Sequence, residues 1–172
     1  TKLKQLNLSS NKIRRLENLD ALVKLEKLWL NLSSNKIRRL ENLDALVKLE
    51  KLWVNLNQLE RLDGLWRLTK LTQLWACRNR IDRIDTALNG CVNLTELNLA
   101  DNRLSSFKGL LSLMNLDQLA LNLSSNKIRR LENLDALVKL EKLWVNLNQL
   151  ERLDGLWRLT KLTQLWACRN RI

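Results

Sequence analysis

The chain of 172 residues has no proline, no histidine and no tyrosine, and only four glycines, one methionine and one phenylalanine. Without proline, and with so little glycine, nothing marks a linker or a low-complexity tract, so the chain is expected to form one continuous domain over residues 1–172. Without histidine, Ser–His and Cys–His nucleophile pairs are excluded, and no Cys-x-x-Cys pair offers a zinc site in its place. The carboxylates are scattered, with no sign of a pocket that would shift their protonation. We therefore expect no enzyme, no metal and no cofactor.

Other absences bear on location. No apolar run approaches the roughly 20 residues of a membrane span, and no signal peptide precedes Thr1, so no membrane partner is expected. Three thiols, Cys77, Cys91 and Cys168, are too few and too dispersed for the disulfide-stapled caps of a secreted repeat protein. They point to the cytosol, with the nucleus and the cilium as alternatives. Asn7, Asn31, Asn93 and Asn122 each begin an N-x-S/T triplet, which arises by chance wherever the repeated phrase described next meets a hydroxyl residue.

What the chain does have is one phrase, close to L-x-x-L-x-L-x-x-N-x-(I/L), written eight times, with two further residues before the Asn in the copies from Leu25 and Leu116 and Val or Ala at the third Leu in four others. The phrases begin at Leu3, Leu25, Leu49, Leu71, Leu94, Leu116, Leu140 and Leu162, at intervals of 22 to 24 residues. The period resembles the leucine-rich repeat, in which a short strand and a return segment cannot bury their Leu face until neighbours stack on it. The expected fold is an α/β solenoid: a leucine-rich-repeat horseshoe of seven to eight repeats with a parallel sheet on its concave side. In the return segments Leu recurs every third residue, as in R-R-L-E-N-L-D-A-L-V-K-L, which suits short 3₁₀ or irregular turns on the convex side. No terminal caps are visible. We expect a piece of a longer array, with ends open to end-to-end self-association.

Within a phrase, alternation aims Leu6 and Leu8 inward and Gln5, Asn7 and Ser9 toward the concave solvent. The closing Asn, from Asn11 to Asn170, sits where the chain leaves the sheet, and its amide suits turn backbone groups that would otherwise be buried unpaired. Two units are longer by a pair of residues at the strand. A shift of two keeps the inward and outward faces, so Leu28, Leu30 and Leu32 still point inward and these units should bulge yet stack.

The consensus with its continuation, and K-I-R-R-L-E-N-L-D-A-L-V-K-L-E-K-L in particular, resembles the 22-residue leucine-rich-repeat class typified by the nuclear regulatory subunit of protein phosphatase 1. The resemblance covers essentially the whole chain. It implies a protein-binding concave face and a role as a phosphatase regulatory, ciliary or cytoskeletal adaptor.

The repeats are also copies of one another. Leu6 to Trp29 recurs unchanged as Leu30 to Trp53 and as Leu121 to Trp144, and Leu30 to Ile81 returns whole as Leu121 to Ile172. Solvent-facing positions match as well as core ones. Folding alone does not require that, so recent segmental duplication or an artefact of sequence assembly is expected as the origin. Only Asp82 to Ala120 occurs once.

Two surface signals follow. Counted from the start of each phrase, five of the seven Trp (Trp29, Trp53, Trp75, Trp144 and Trp166) fall on one concave column with Asn7, Asn98 and Ala120. The column beside it carries Gln5, Lys51, Gln73, Glu96, Gln118, Lys142 and Gln164, and Arg78 lies at its edge. Trp leads the residues that dominate protein interfaces, and large exposed apolar patches are uncommon on monomers. The expected site is therefore a concave protein-binding strip, including Trp29, Trp53 and Trp75 as one continuous ladder. Trp66 and Trp157 fall in return segments, where packing is expected of them.

The second signal is charge, 30 Lys and Arg against 18 Asp and Glu, for a formal +12. Copies of K-I-R-R place Arg14, Arg15, Arg38, Arg39, Arg129 and Arg130 in a lateral basic stripe. Duplication of a solvated face explains it most simply. As a function it suggests an alternative, the docking of RNA or another polyanion.

Overall fold

The computed structural model describes residues 3–19, 22, 28–113, 119–132, 134 and 137–172. The phrase starts Leu25 and Leu116, and Gln118 of the concave column, lie outside the described residues. Eight parallel strands form one sheet in sequence order. They are β1 (Gln5–Asn7), β2 (Leu28–Asn31), β3 (Leu49–Trp53), β4 (Gln73–Trp75), β5 (Glu96–Asn98), β6 (Leu119–Asn122), β7 (Leu140–Trp144) and β8 (Gln164–Trp166). The described return segments are turns, with single 3₁₀ turns at Leu111–Leu113 and Leu156–Arg158. The expected solenoid is the observed one.

The core is a set of Leu columns. Leu30, Leu52, Leu74, Leu97, Leu121 and Leu143 line up across the sheet at almost zero exposure, and Leu32, Val54, Ala76, Leu99, Leu123 and Val145 form the row behind them. Leu62, Leu65 and Leu68 of a return segment close the core from the convex side. Their spacing of three matches the turn hydrogen bonds from Leu68 N to Leu65 O and Leu71 N to Leu68 O. Burying a Leu in such a column contributes roughly 1.5–3 kcal/mol. The first and last repeats have a neighbour on one side only. Leu3, expected in the core, is 42% exposed, and Leu6, Leu8 and Leu165 are only partly buried.

The two longer units behave as their parity requires. Leu28 pairs with Leu49 but Trp29 pairs with Lys51, so Glu50 has no partner across from it in β2; the same irregularity recurs between Leu119 and Ala120. Leu28, Leu30 and Leu32 are buried, while Trp29 faces solvent. The register with the next strand shifts by one residue there, and the inward and outward faces hold.

From Asn35 onward, each closing Asn does more than finish its own turn. Asn79 Nδ2 donates to Ala76 O and Cys77 O in its own repeat and to Val54 O in the preceding one, while its Oδ1 accepts from Leu59 N. The same set recurs at Asn57 and Asn148. The residue before the Asn adopts a left-handed conformation throughout, with φ between 53° and 59° at Ser10, Ser34, Leu56, Arg78, Asp101, Ser125, Leu147 and Arg169. That reversal turns the chain away from the sheet and aims the amide inward. Among the described residues no buried side-chain polar atom is left unpaired.

We predict that Asn79→Ala costs about 2–3 kcal/mol or more, because it strands a buried N–H and buried carbonyls at once. Asn11→Ala should cost less than about 1 kcal/mol, since Asn11 is exposed and bonds only to Leu8 O and Ser9 O. Urea unfolding of the two variants checks this, and equal losses would contradict it.

Candidate functional site: the concave face and the lateral basic groove

Strand register decides which outward side chains meet. Gln5 pairs with Trp29, Trp29 with Lys51, Lys51 with Gln73 and Gln73 with Glu96; Ala120, Lys142 and Gln164 continue that column. Asn7, Asn31, Trp53, Trp75, Asn98, Asn122, Trp144 and Trp166 form the second column. This corrects the expected arrangement. Trp29 and Ala120 stand one column over, and Asn31 and Asn122 take their places. The two extra residues of the longer units are the cause: counted back from the closing Asn, Trp29 holds the place of Lys51 and Asn31 that of Trp53. The five indoles therefore do not form one ladder.

They form smaller groups. Trp53 and Trp75 stack with ring centroids 4.9 Å apart and planes 12° from parallel. Trp144 and Trp166, their counterparts in the duplicated segment, stack at 4.6 Å and 5°. Trp29 instead lies under an ammonium group, with Lys51 Nζ 4.0 Å from its ring centroid. Such a cation over an indole contributes about 0.5–1 kcal/mol at an exposed site.

Polar atoms fix the first pair. Trp53 Nε1 donates to Gln73 Oε1 at 3.3 Å, and Trp75 Nε1 donates to Glu96 Oε1 at 2.6 Å. Gln73 Nε2 donates to Glu96 Oε2 at 2.5 Å, so one carboxylate holds both the indole and the amide that holds its neighbour. Gln73, Glu96, Trp53 and Trp75 thus form one connected surface, with Lys51 beside Gln73 in the register. Asn98 belongs to the turn instead, its Oδ1 accepting from Ala100 N. Arg78 sits at the lateral edge in a left-handed conformation, 3.6 Å from Asp101, and outside the Trp group.

A small pocket of about 160 Å³ opens on this face between Trp29 and Trp53. Gln5, Asn7, Asn31 and Lys51 complete its polar rim over a floor that includes Leu6 and Leu30. Gln5, Asn7 and Asn31 were not among the expected site residues; Trp29 and Trp53 stand in different columns on neighbouring strands, with the pocket between them.

The stripe of Lys and Arg forms a second feature on the lateral edge. Arg14, Arg15, Lys36, Arg38 and Arg39, with Glu41 and Gln58, line a groove of about 690 Å³ between the first two repeats. Arg129 and Arg130 lie on the same edge farther along, where Arg130 is 3.7 Å from Glu132. The structure brings the first four expected stripe residues together and leaves the last two apart.

Trp66 and Trp157 do not pack in the core as expected. They are 53% and 75% exposed on the convex side, each with a neighbouring guanidinium over its ring, Arg67 at 4.8 Å and Arg158 at 4.6 Å. The return segment that carries them fills its inward positions with Leu65 and Leu68, so the indoles point out.

No described group of His, Cys, Asp or Glu could hold a metal ion, and no described helix is long and apolar enough to cross a membrane. The cysteines are free thiols. Burial raises the Cys77 thiol above its ordinary value despite the opposing pull of Arg78, so the neighbouring guanidinium does not activate it. Burial pushes Cys91 up to about 12.

Set against known proteins, this geometry defines a parallel solenoid that offers surfaces. A family model described as "Leucine Rich repeats (2 copies)" matches residues 1–45 and 69–112, and the chain belongs to that family. The 22-residue class typified by the phosphatase subunit is not distinguished by this match. No curated protein matches the chain. Among solved structures, the functional domain of InlJ from Listeria monocytogenes is 27% identical with a TM-score of 0.78, over 98% of this chain and 35% of that one. TLR13, in a complex with ssRNA13, is 27% identical with a TM-score of 0.85, over 99% of this chain and 25% of that one. Internalin C2 from Listeria monocytogenes str. 4b F2365 is 24% identical over 94% of this chain and 79% of that one, with a TM-score of 0.66, and shares the fold. The chain therefore spans about a third or less of the first two proteins it resembles.

The thiols provide a direct check of the architecture. Cys168 is exposed, Cys77 half-buried and Cys91 buried, so alkylation of the native protein near pH 8 should proceed in that order. Cys91 should react only on unfolding, when its proton is again lost near the ordinary value of 9.0. Early labelling of Cys91, read by peptide mass, would contradict the stacked core.

Proposed function

We propose that the protein is an interaction scaffold that binds a protein partner through the concave face centred on Trp53 and Trp75. The observation that carries this is the pair of indoles stacked on the open sheet and held by Gln73 and Glu96. Their order is set before any partner arrives, so binding loses little side-chain freedom, and their faces still have apolar area to bury. The pocket between Trp29 and Trp53 has room for one side chain of a partner, with Lys51 beside it to meet an acidic group. Trp144 and Trp166 extend the surface along the solenoid.

The finer role, a phosphatase regulatory or a ciliary and cytoskeletal adaptor in the cytosol, rests on the repeat consensus and on the thiol content. The family match and the likeness to InlJ support a binding scaffold. TLR13, whose structure is a complex with RNA, favours keeping the polyanion alternative alongside it.

Trp53→Ala should weaken a protein partner by about 2 kcal/mol or more, roughly thirtyfold. Trp157→Ala, which removes an even more exposed indole on the convex side, should leave binding unchanged. The two variants should unfold close to the parent. A partner that co-purifies as well with the Trp53→Ala, Trp75→Ala double variant as with the parent would overturn the concave site.

A further inference from the structure

The duplicated segment places the same K-I-R-R run in two settings. In the first, Lys36 N bonds to Ile13 O, which stacks Lys36 to Arg39 on the Arg14–Arg15 pair of the repeat before it. In the second, Lys127 N bonds to Leu104 O, so the positions equivalent to Arg14 and Arg15 are Ser105 and Ser106. Identical sequence thus meets two arginines at one junction and two serines at the other.

Only the first junction has a dense positive field. Five cations and one carboxylate, Glu41, line its groove. Arg15 leans toward Glu17 at 3.7 Å, both largely exposed, and Arg38 Nε donates weakly to Gln58 at 3.4 Å. Among the described residues Arg14, Lys36, Arg38 and Arg39 form no ion pair. Elsewhere along this edge several guanidinium groups have an acid beside them, Arg61 and Arg83 at Asp85, Arg130 at Glu132 and Arg152 at Asp154; Arg129, which bonds to Gln149 as Arg38 does to Gln58, has serines in place of the arginine pair. Crowding unmatched guanidinium groups raises the energy of the empty groove and favours an anion that relieves it.

We propose that this groove, between the first and second repeats, binds the phosphodiester backbone of a single-stranded nucleic acid without reading its bases. The donor set, four guanidinium forks and an ammonium, suits phosphate oxygens. Amides to read base edges are scarce, since Gln58 is the one amide among the described lining residues and it is already engaged by Arg38. A flexible single strand can lay successive phosphates into a groove confined to one junction between repeats, whereas the phosphates of a duplex are fixed on a stiff helix. The site lies on the lateral edge and is independent of the concave Trp surface.

The test uses a short fluorescent oligouridylate and the full chain. Five contacts to a single strand predict that log affinity falls against log salt with a slope of about −3.5. Arg14→Ser with Arg15→Ser, which rebuilds the second junction's setting at the first, should weaken binding about tenfold or more and bring the slope to about −2. Arg129→Gln with Arg130→Gln removes the same charge from the other junction and should change affinity less than about twofold. Adding Ser105→Arg and Ser106→Arg to the weakened variant should restore binding, a gain that general loss of fold cannot imitate.

Equal losses in the two arginine variants would overturn the proposal in favour of net charge alone. Tighter binding of a duplex of the same length would overturn the single-strand assignment. Displacement of the oligouridylate by an equimolar glutamate-rich peptide would mark the groove as a site for acidic protein. Absence of binding by the parent at low salt would end it. Trp53→Ala should leave this affinity unchanged, so its outcome and that of the concave site are separable.

Discussion

The inner repeats of this protein depend on the buried asparagine that closes each strand. A parallel solenoid has to turn its chain at the edge of the sheet in each repeat, and the turn leaves amides and carbonyls facing the core. Water cannot reach them there. One short amide side chain satisfies its own turn and the repeat before it, as Asn79 does for Ala76, Val54 and Leu59. The left-handed residue before it, even where that is Leu56 or Leu147, is accepted because the amide bonds repay its strain. Leu columns supply most of the burial, but they are unspecific; the Asn fixes where each repeat sits against the next.

That fixed register turns a one-dimensional pattern into surfaces. Outward positions on neighbouring strands come within about 5 Å of one another, close enough for indoles to stack and for side-chain amides to reach an adjacent carboxylate. Glu96 belongs to the part of the chain that occurs once, yet it accepts bonds from Trp75 and Gln73 of the duplicated part. The unique segment thus completes the first Trp group. Facing Lys142, the second group has Ala120 where the first has Trp29 facing Lys51, so two identical sequences carry different surroundings.

The lateral edge makes the same point with charge. Lys36 to Arg39 and Lys127 to Arg130 are the same residues, but a groove lined by five cations forms where Arg14 and Arg15 lie beside the run, and serines lie beside the other. In a solenoid the function of a repeat belongs to pairs of neighbours. Duplication can therefore create a new surface at a junction without changing a single residue.

The sequence by itself determined the solenoid, the strand positions, the inward Leu columns and the parity of the longer units. These follow from local alternation and a fixed period, which need no knowledge of neighbours. It also held the information that corrects the Trp columns. Trp53 and Trp75 stand four residues before their closing Asn and Trp29 stands six before its own, as Lys51 and Gln73 do before theirs. Counting from the phrase start hid this, because the two extra residues let the start slip while the Asn ladder holds the end. Only the tertiary structure decided which outward side chains meet: the cation over Trp29, the two stacked pairs, the carboxylate of Glu96 under Trp75, and the outward turn of Trp66 and Trp157. Those contacts join residues some 20 positions apart and are set by cross-strand register, a property of paired repeats that no single repeat contains.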